Sequence, residues 1–157
     1  MALHTILGAN GTVSSELVPV LIANGEQVRL VSRNPKAVPG TTSLAADLED
    51  EAAVMKAVEG SEFVYLLAGL KYDHKVWEIS WPLIMHNVIN ACESCHAKLI
   101  FFDNVYMYGI TSSAMTEETA FNPCSKKGTI RAAIANDLLN EMKQGKIRGA
   151  KVLRVIP

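Results

Sequence analysis

Cysteine, strong net charge and long apolar runs are all scarce in this sequence of 157 residues. Its three cysteines cannot form a disulfide framework, so the fold must rest on a hydrophobic core, which a chain of this length can build. Fifteen basic and 16 acidic residues give a net charge of −1, and the longest basic run is the pair Lys126–Lys127. This composition excludes an electrostatic surface for nucleic acid or for an anionic membrane. We therefore expect a small molecule or another protein as the partner.

The sequence also lacks the features of an exported or membrane protein. Its first eight residues contain neither a cationic segment nor a small-residue cleavage site, and no apolar run reaches the ~18 residues of a membrane helix. Together with the scarcity of cysteine, this predicts a cytoplasmic protein. Because repeats, low-complexity tracts and linkers are missing as well, we expect one domain over residues 1–157.

What the sequence does contain is a regular alternation of short apolar runs and helical patterns. This alternation is typical of βαβ units, and it predicts an α/β fold: a doubly wound parallel sheet of about six strands with helices on both faces. Apolar residues between 81 and 92 predict a helix with Ser80 as its cap and Pro82 in its first turn. The predicted strands are Leu3–Leu7, Val28–Val31, Thr42–Leu44, Phe63–Leu67, Leu99–Phe102 and Val152–Ile156.

A glycine-containing turn, Gly8-Ala9-Asn10-Gly11-Thr12-Val13-Ser14, stands between the first predicted strand and the first predicted helix. Free backbone N–H groups and the helix dipole stabilise a diphosphate at such a place, and glycine lets the backbone approach it closely. The spacing is GxxG rather than GxGxxG, and Ser14 stands where the third glycine would pack. An ordinary tight turn is the alternative, but the strand before it and the helix after it favour a dinucleotide site.

The turn after the second strand favours one form of the cofactor. A site for NAD usually offers a carboxylate to the ribose hydroxyls, whereas the 2′-phosphate of NADP requires a nearby cation and no acid. Arg33 stands here, and no Asp or Glu occurs between Val28 and Gly40. This favours NADP over NAD, unless Arg33 is only a solvated surface residue. Asp47 and Leu48, after the third strand, are placed to reach the adenine, although Asp47 could equally belong to a helix cap.

These features together resemble the extended or atypical short-chain dehydrogenase/reductases of the NAD-dependent epimerase/dehydratase type. The resemblance covers nearly the whole chain, and it is carried by the residues 8–11, 28–35, 47–48, 64–69 and 101–109. It implies a Rossmann sheet of order 3-2-1-4-5-6, an oxidoreductase or epimerase acting on a small carbonyl compound or a nucleotide sugar, and a homodimer through helices near 81–95 and 126–144. It also implies that a nicotinamide dinucleotide is contacted by Gly8, Asn10, Gly11, Thr12, Val13, Arg33, Asp47, Leu48, Leu67, Ala68 and Gly69.

The chain departs from this family at the catalytic positions. Members place a Ser or Thr near the end of the fifth strand and a YxxxK pair on the next helix, but here Asp103 occupies the first position, and Lys127 and Arg131 occupy the pair. Arginine does not release its proton in a protein, and a lysine transfers one only where burial or a neighbouring cation loosens it. Arg131 could act on Lys127 in this way, with Asp103 opposing it. Either these three residues are an altered catalytic set, or they are structural or contact only the cofactor.

A tyrosine elsewhere could replace the missing phenol. Tyr108 lies where a strand end would meet the ligand crevice, and Tyr106 is close by, but neither has a lysine four residues later. Tyr72 has Lys75 three residues later, which is the wrong spacing. The sequence therefore leaves the proton donor open.

The length of the chain bears on its activity. In the family that it resembles, a seventh strand and a small substrate domain follow the sixth strand, and this sequence ends at Pro157 before either. We therefore expect the substrate region to be absent and turnover by these 157 residues alone to be weak or absent, because substrate orientation and water exclusion supply much of the rate. The alternative function is a dinucleotide-binding module that has lost hydride chemistry and acts as a sensor or an interaction partner.

The sequence Cys92-Glu93-Ser94-Cys95-His96 matches the CxxCH pattern of haem attachment and contains the CxxC of redox proteins. Haem attachment belongs to exported chains, and a redox CxxC begins a helix, whereas these residues end one. Cys92 continues the apolar stripe of its helix, so we expect it in the core. We predict no metal site.

Overall fold

The computed structural model of the protein describes residues 1–153, in which strands and helices alternate. The strands are β1 (Leu3–Leu7), β2 (Gln27–Ser32), β3 (Thr41–Ala45), β4 (Phe63–Leu66), β5 (Lys98–Asp103) and β6 (Arg148–Leu153). The helices are α1 (Thr12–Ala23), α2 (Glu51–Val58), α3 (His74–Ser94) and α4 (Lys126–Lys143), and a single 3-10 turn, Tyr106–Tyr108, follows β5. No helix in this part of the chain is long and apolar enough to cross a bilayer.

The six strands form one parallel sheet in the order β3-β2-β1-β4-β5-β6, which confirms the predicted fold class and strand order. The chain winds outward from β1 to β3 and then returns to place β4 on the other side of β1. Leu7, at the end of β1, is in register with Val31 of β2 on one side and with Leu66 of β4 on the other. The connections after β1 and β4 leave in opposite directions, so a crevice opens at the carboxyl ends of these strands.

Both faces of the sheet carry helices, because successive strand residues point to opposite sides. On one face, Ile6 and Leu30 pack with Val18 and Leu21 of α1. On the other face, a larger core joins the sheet to α2, α3 and α4. Its sheet members are Leu7, Val31, Val64, Leu66, Leu99 and Phe101.

The start of α3 corrects the prediction made from sequence. The helix begins at His74 and is capped by Asp73, whose carboxylate accepts a hydrogen bond from the backbone N–H of Lys75 at 2.9 Å. Ser80 is therefore an internal residue, and Pro82 lies in the helix interior. Proline there removes one helical hydrogen bond. The burial of the Trp77 and Trp81 side chains, 6% and 3% exposed, stabilises the continuous helix in spite of that loss.

The sixth strand begins earlier than predicted. β6 starts at Arg148 and pairs with β5 in parallel, with Arg148 opposite Lys98. Residues 148–151 lack an apolar run, so backbone pairing with β5 rather than side-chain pattern defines the start of this strand. The predicted strand Val152–Ile156 overlaps β6 at its first two residues, and residues 154–156 lie outside the described residues.

Candidate functional site

A cleft of about 550 Å³ opens at the crevice between the ends of β1 and β4. Its floor is the turn after β1, one wall is formed by the turns after β2 and β3, and the other by the segment after β4 and the adjoining side of α3. The lining residues are Gly8, Ala9, Asn10, Gly11, Ser32, Arg33, Asn34, Ala46, Asp47, Leu48, Glu49, Leu67, Ala68, Gly69, Leu70, Lys71, Val76, Ser80 and Ile84.

Gly8 allows the closest approach of backbone to backbone in the cleft. Its φ of +99° lies in the region that side chains disfavour, and a Cβ on Gly8 would come within 2.5 Å of the backbone nitrogen of Ala68. The backbone N–H groups of Gly8 and Ala9 both donate to the carbonyl oxygen of Val31, at 2.9 and 3.0 Å. These contacts fix the turn against both β2 and the segment after β4.

The first turn of α1 presents free backbone donors beside this turn. Gly11 occupies the cap position and offers no side-chain acceptor, whereas Asp50, Asp73 and Ser125 cap α2, α3 and α4 with side-chain oxygens. An uncapped helix start combines unpaired N–H groups with the positive end of the helix dipole. A Cβ on Gly11 would meet only the carbonyl oxygen of Gly8, at 3.5 Å, so the space beside Gly11 is open. An anion such as a diphosphate fits this place.

Asn10 ties the turn after β1 to the turn after β2. Its amide donates to the carbonyl oxygen of Asn34 at 2.9 Å and to the hydroxyl of Ser32 at 3.3 Å, and its side-chain oxygen accepts from the backbone N–H of Lys36 at 3.0 Å. Asn10 itself has a φ of +77°, which Asn tolerates better than most residues. These bonds hold the exposed Arg33 at the rim of the cleft.

The turn after β3 contributes two apolar and two acidic residues to the cleft, Ala46, Leu48, Asp47 and Glu49. Leu48 is 8% exposed, and its carbonyl oxygen accepts a hydrogen bond from the side chain of Asn87 on α3 at 3.0 Å. Asp47 is exposed to the cleft, while one of its carboxylate oxygens accepts from the backbone N–H of Glu49 at 3.0 Å. Asp50, and not Asp47, caps α2, because its carboxylate accepts from the backbone N–H of Ala53.

Asp103 and Arg131 form a buried ion pair below the carboxyl end of β5. The guanidinium Nε of Arg131 donates to the Asp103 carboxylate at 2.7 Å, and Nη2 contacts the same oxygen. The two residues are 2% and 3% exposed, and the guanidinium carbon lies 4.3 Å from the ring centre of Trp81. Burial lowers the pKa of Arg131 and the Asp103 carboxylate opposes that shift. Asp103 continues the alternation of Leu99 and Phe101, so its side chain points toward α4.

Lys127, one helical turn before Arg131, reaches out of the core to Tyr72. Its Nζ lies 3.0 Å from the centre of the Tyr72 ring and donates to the Tyr72 carbonyl oxygen at 3.3 Å. The Tyr72 hydroxyl donates to the hydroxyl of Tyr106 at 3.4 Å. The Tyr106 ring stacks on Trp77, with ring centres 6.3 Å apart, and Trp77 Nε1 donates to the carbonyl oxygen of Lys71 at 2.9 Å.

Tyr108 lies away from this group of side chains. It is 3% exposed and packs edge-on against Phe121, with ring centres 5.4 Å apart. Burial raises its pKa, and the nearby Asp103 raises it further.

The sequence of residues 8–146 matches the model of a family described as NAD(P)H-binding. The chain belongs to this family. Its NAD(P)-binding Rossmann domain is also similar in structure to a mutated uronate dehydrogenase, with a TM-score of 0.84 at 20% identity over 96% of this chain and 57% of that one. No curated protein matches the chain in sequence.

Two further neighbours are structures of complexes with NAD. The UDP-glucose 4-epimerase from Brucella ovis in complex with NAD has a TM-score of 0.83 at 17% identity, over 98% of this chain and 51% of that one. MoeE5 in complex with UDP-glucose and NAD has a TM-score of 0.79 at 20% identity, over 98% of this chain and 53% of that one. The chain thus spans between half and three fifths of the length of these proteins. The likeness confirms the fold of the short-chain dehydrogenase/reductase and epimerase/dehydratase type.

Most of the residues predicted to contact the cofactor line the cleft of this NAD(P)-binding domain. Thr12 and Val13 do not line it, since they form the first turn of α1. Glu49, Lys71 and Ser80 line it without having been predicted, because Glu49 and Lys71 follow the predicted motifs and Ser80 lies inside α3. The predicted residues that do line it are Gly8, Asn10, Gly11, Arg33, Asp47, Leu48, Leu67, Ala68 and Gly69.

The two cysteines of the CxxCH pattern lie at the end of α3, and the first of them is in the core. Cys92 is 1% exposed, and burial raises the pKa of its thiol to about 12. Cys95 follows the last residue of α3 as its C-terminal cap. Within residues 1–153, no three His, Cys, Asp or Glu side chains converge on a point that could hold a metal ion.

Proposed function

We propose that this NAD(P)-binding domain binds NADP(H) and serves hydride transfer on a small carbonyl compound or a nucleotide sugar. The observation that carries the proposal is the joining, in one open cleft, of an uncapped helix start at Gly11 with an arginine at the rim after β2. When bound, the nicotinamide supplies or accepts the hydride. The residues of the chain bind and orient the cofactor.

The order of the strands supports one orientation of the bound cofactor. A dinucleotide lies across the switch point, so its adenosine half faces the turns after β2 and β3 and its nicotinamide half faces the segments after β4 and β5. Arg33, Asp47 and Leu48 then lie at the adenosine end, and the first turn of α1 meets the diphosphate. Gly69 and Lys71 lead toward the nicotinamide end.

Arg33 favours NADP because a guanidinium pairs with the two or three oxygens of a phosphate. No carboxylate stands between Val28 and Gly40 to repel that phosphate, although Asp47 and Glu49 line the cleft from the next strand. MoeE5 and the Brucella ovis epimerase are complexes with NAD, so a comparison of NADPH with NADH is the direct test of this proposal.

The first test separates cofactor binding from folding. Gly11→Ala places a methyl group only 3.5 Å from the Gly8 oxygen, an ordinary contact, at a backbone φ of −82° that alanine accepts. We expect a folded protein that binds NADPH at least roughly 10-fold more weakly, because the second glycine of the turn gives the diphosphate its access. Calorimetric titration and circular dichroism measure the two effects. A variant that binds NADPH like the original chain contradicts the proposed site.

The second test concerns NADP against NAD. Removal of a charged hydrogen bond costs about 1.5–3 kcal/mol, or roughly 10- to 100-fold in affinity. We expect Arg33→Ala to weaken NADPH by this factor and to leave NADH nearly unchanged. Lys36→Ala is the matched control, since Lys36 is in the same turn but does not line the cleft. If the original chain binds NADH as tightly as NADPH, the NADP proposal is wrong.

The rate of NADPH oxidation distinguishes an enzyme from a dinucleotide-binding module that has lost hydride chemistry. We expect the chain alone to oxidise NADPH weakly in the presence of aldehydes, ketones or nucleotide sugars, because these 157 residues match only part of the relatives' length. NADPH binding without any oxidation across this panel would favour the alternative, a dinucleotide-binding sensor or interaction partner.

We also propose a cytoplasmic homodimer. The exposed apolar side chains Ile79 and Leu83, 71% and 40% exposed on α3, support the pairing of α3 and α4 with a second copy. The three free thiols are compatible with a reducing compartment. A monomer in analytical ultracentrifugation contradicts the dimer.

A further inference from the structure

We propose that Tyr72 is the proton-transferring phenol of this site, and that Lys127 supplies the cation that a YxxxK motif would supply from the same helix. The inference rests on the proposed nicotinamide chemistry and deepens it. It is carried by the juxtaposition of two tyrosine hydroxyls and one ammonium group in a hollow that begins one residue after Lys71, a lining residue of the cleft.

The position of Tyr72 is suited to this role. Tyr72 directly follows Lys71, which lines the cleft, and Tyr106 directly follows the segment after β5. The nicotinamide half of a dinucleotide faces the ends of β4 and β5, so these hydroxyls lie at that end. Tyr72 is 68% exposed, which leaves its hydroxyl accessible to a substrate.

The surroundings of Tyr72 favour loss of its proton. When Tyr72 ionises, the Tyr106 hydroxyl turns to donate to the phenolate, and this hydrogen bond lowers the pKa of Tyr72. The ammonium group of Lys127 over the ring lowers that pKa further, while desolvation opposes it. The same hydrogen bond raises the pKa of Tyr106, so the two phenols differ in acidity. His74 and Lys126 are the other titratable groups in the hollow around Tyr72.

The cluster is held in place by buried groups. Trp77, 6% exposed, meets the Tyr72 ring edge-on at 5.8 Å and bonds to the Lys71 carbonyl, which fixes the segment after β4. Arg131 is committed to Asp103 and to the rings of α3, so Lys127 is the cation that reaches Tyr72. Of the two residues at the family's YxxxK positions, Lys127 therefore contacts Tyr72 and Arg131 pairs with Asp103.

In carbonyl reduction, the substrate carbon takes a hydride from the reduced nicotinamide, and the electron pair of the carbonyl bond moves to the oxygen. That oxygen takes the Tyr72 proton, giving an alcohol, the oxidised cofactor and a Tyr72 phenolate. Solvent returns a proton to the exposed phenolate. Alcohol oxidation runs the same transfers in reverse.

The first readout needs neither substrate nor cofactor. The chain has four tyrosines, and a titration followed by phenolate absorbance near 295 nm reports their ionisation. We expect Tyr72→Phe to remove the earliest ionisation and Lys127→Met to move it to higher pH. Tyr65→Phe, whose hydroxyl contacts His4 within the sheet, is the matched control and should leave it unchanged. Persistence of the earliest ionisation in Tyr72→Phe would overturn the proposal.

The second readout is NADPH oxidation with the best carbonyl substrate of the panel. Loss of a positioned proton donor costs roughly 10²–10⁴-fold in rate. We expect Tyr72→Phe to lose such a factor in kcat with NADPH affinity unchanged, and Tyr65→Phe to retain the original rate. A Tyr72→Phe variant that turns over at the original rate overturns the assignment. Failure of the original chain to bind NADPH would instead sink the proposed function, and the titration would still decide the acidity of Tyr72.

Discussion

Two regions at the same edge of the sheet keep different parts of the family pattern. Around the ends of β1 and β2, Gly8, Gly11 and Arg33 line the cleft, as the sequence pattern predicted. At the end of β5 and within α4, two of the family's catalytic positions are occupied by Asp103 and Arg131, which form an ion pair in the core. A phosphate-binding turn works through its backbone conformation, which depends on local residues such as glycine, so the local sequence is enough to predict it. A catalytic position depends on where each side chain points.

The buried pair shows why position alone is misleading. Asp103 follows the inward alternation of β5, and Arg131 precedes Ile134 and Leu138 on the inward stripe of α4. Each charged group loses hydration free energy on burial, and its attraction to the opposite charge compensates for part of that cost. Among the described residues, no hydrogen-bond acceptor meets Nη1 of Arg131, although the guanidinium lies over Trp81. The pair therefore stabilises the fold only while both members are present.

The largest effect we expect comes from breaking this pair. Asp103→Ala leaves the Arg131 charge buried among aromatic rings, and removal of one partner of a buried pair typically costs about 3–5 kcal/mol. The measurement is the free energy of unfolding from urea titration. Because the pair lies in the core and not in the cofactor cleft, we expect this loss of unfolding free energy in the absence of cofactor.

The control is the double variant Asp103→Leu with Arg131→Met. Replacement of a buried pair by apolar residues of similar size is often neutral or stabilising. We therefore expect the double variant to be clearly more stable than Asp103→Ala. If the double variant is as unstable as the single one, the destabilisation comes from lost packing and the buried charge is not its cause.

A smaller difference should separate Gly8, which lines the cofactor cleft, from Gly25, which lies in the turn between α1 and β2 and does not line it. Gly8 and Gly25 both have positive φ, +99° and +76°, so alanine at either position costs about 1–2 kcal/mol. Only at Gly8 does the added Cβ meet backbone, the Ala68 nitrogen at 2.5 Å; nothing lies within 4 Å of it at Gly25. We expect Gly8→Ala to lose about 1–3 kcal/mol more than Gly25→Ala, because overpacking adds to the strain. Equal losses in urea unfolding would show that the approach to Ala68 is not tight.

Sequence patterns were sufficient for most of the fold. Buried parallel strands such as β1 and β4 appear as apolar runs, and their alternation with helices predicted a parallel sheet. The order of its strands, which the structure confirms, was implied by the family resemblance. The start of α3 was missed because Pro82 suggested a first turn, although Trp77 stands four residues before Trp81 on the same buried stripe. The start of β6 was missed because residues 148–151 lack an apolar run, although they pair with β5.

The candidate site divides in the same way. The glycines, Arg33, Asp47 and Leu48 follow their strands directly, so their place in the cleft could be predicted. Tyr72 could not be assigned, because the lysine beside it comes from α4, 55 residues later in the chain. A motif search tests spacings of a few residues, whereas this contact depends on how the segment after β4 meets α4.

The smallest effect concerns the opposite end of β1 from the cofactor cleft. His4 is 7% exposed, with Nδ1 at 3.1 Å from the Tyr65 hydroxyl and its ring stacked on Phe63. Burial lowers the pKa of His4 below its ordinary 6.5, with Glu26 and Glu62 opposing. Between the pKa of His4 in the unfolded chain, 6.5, and its lower pKa in the folded protein, the unfolded chain binds more protons. The free energy of unfolding therefore falls as the pH drops through 6.5. We expect urea midpoints to decrease between pH 8 and pH 5.5, and His4→Gln to flatten that slope. A midpoint that rises as the pH drops over this range would mean that the folded protein prefers a charged His4, and the ion pair with Glu26 would then outweigh burial.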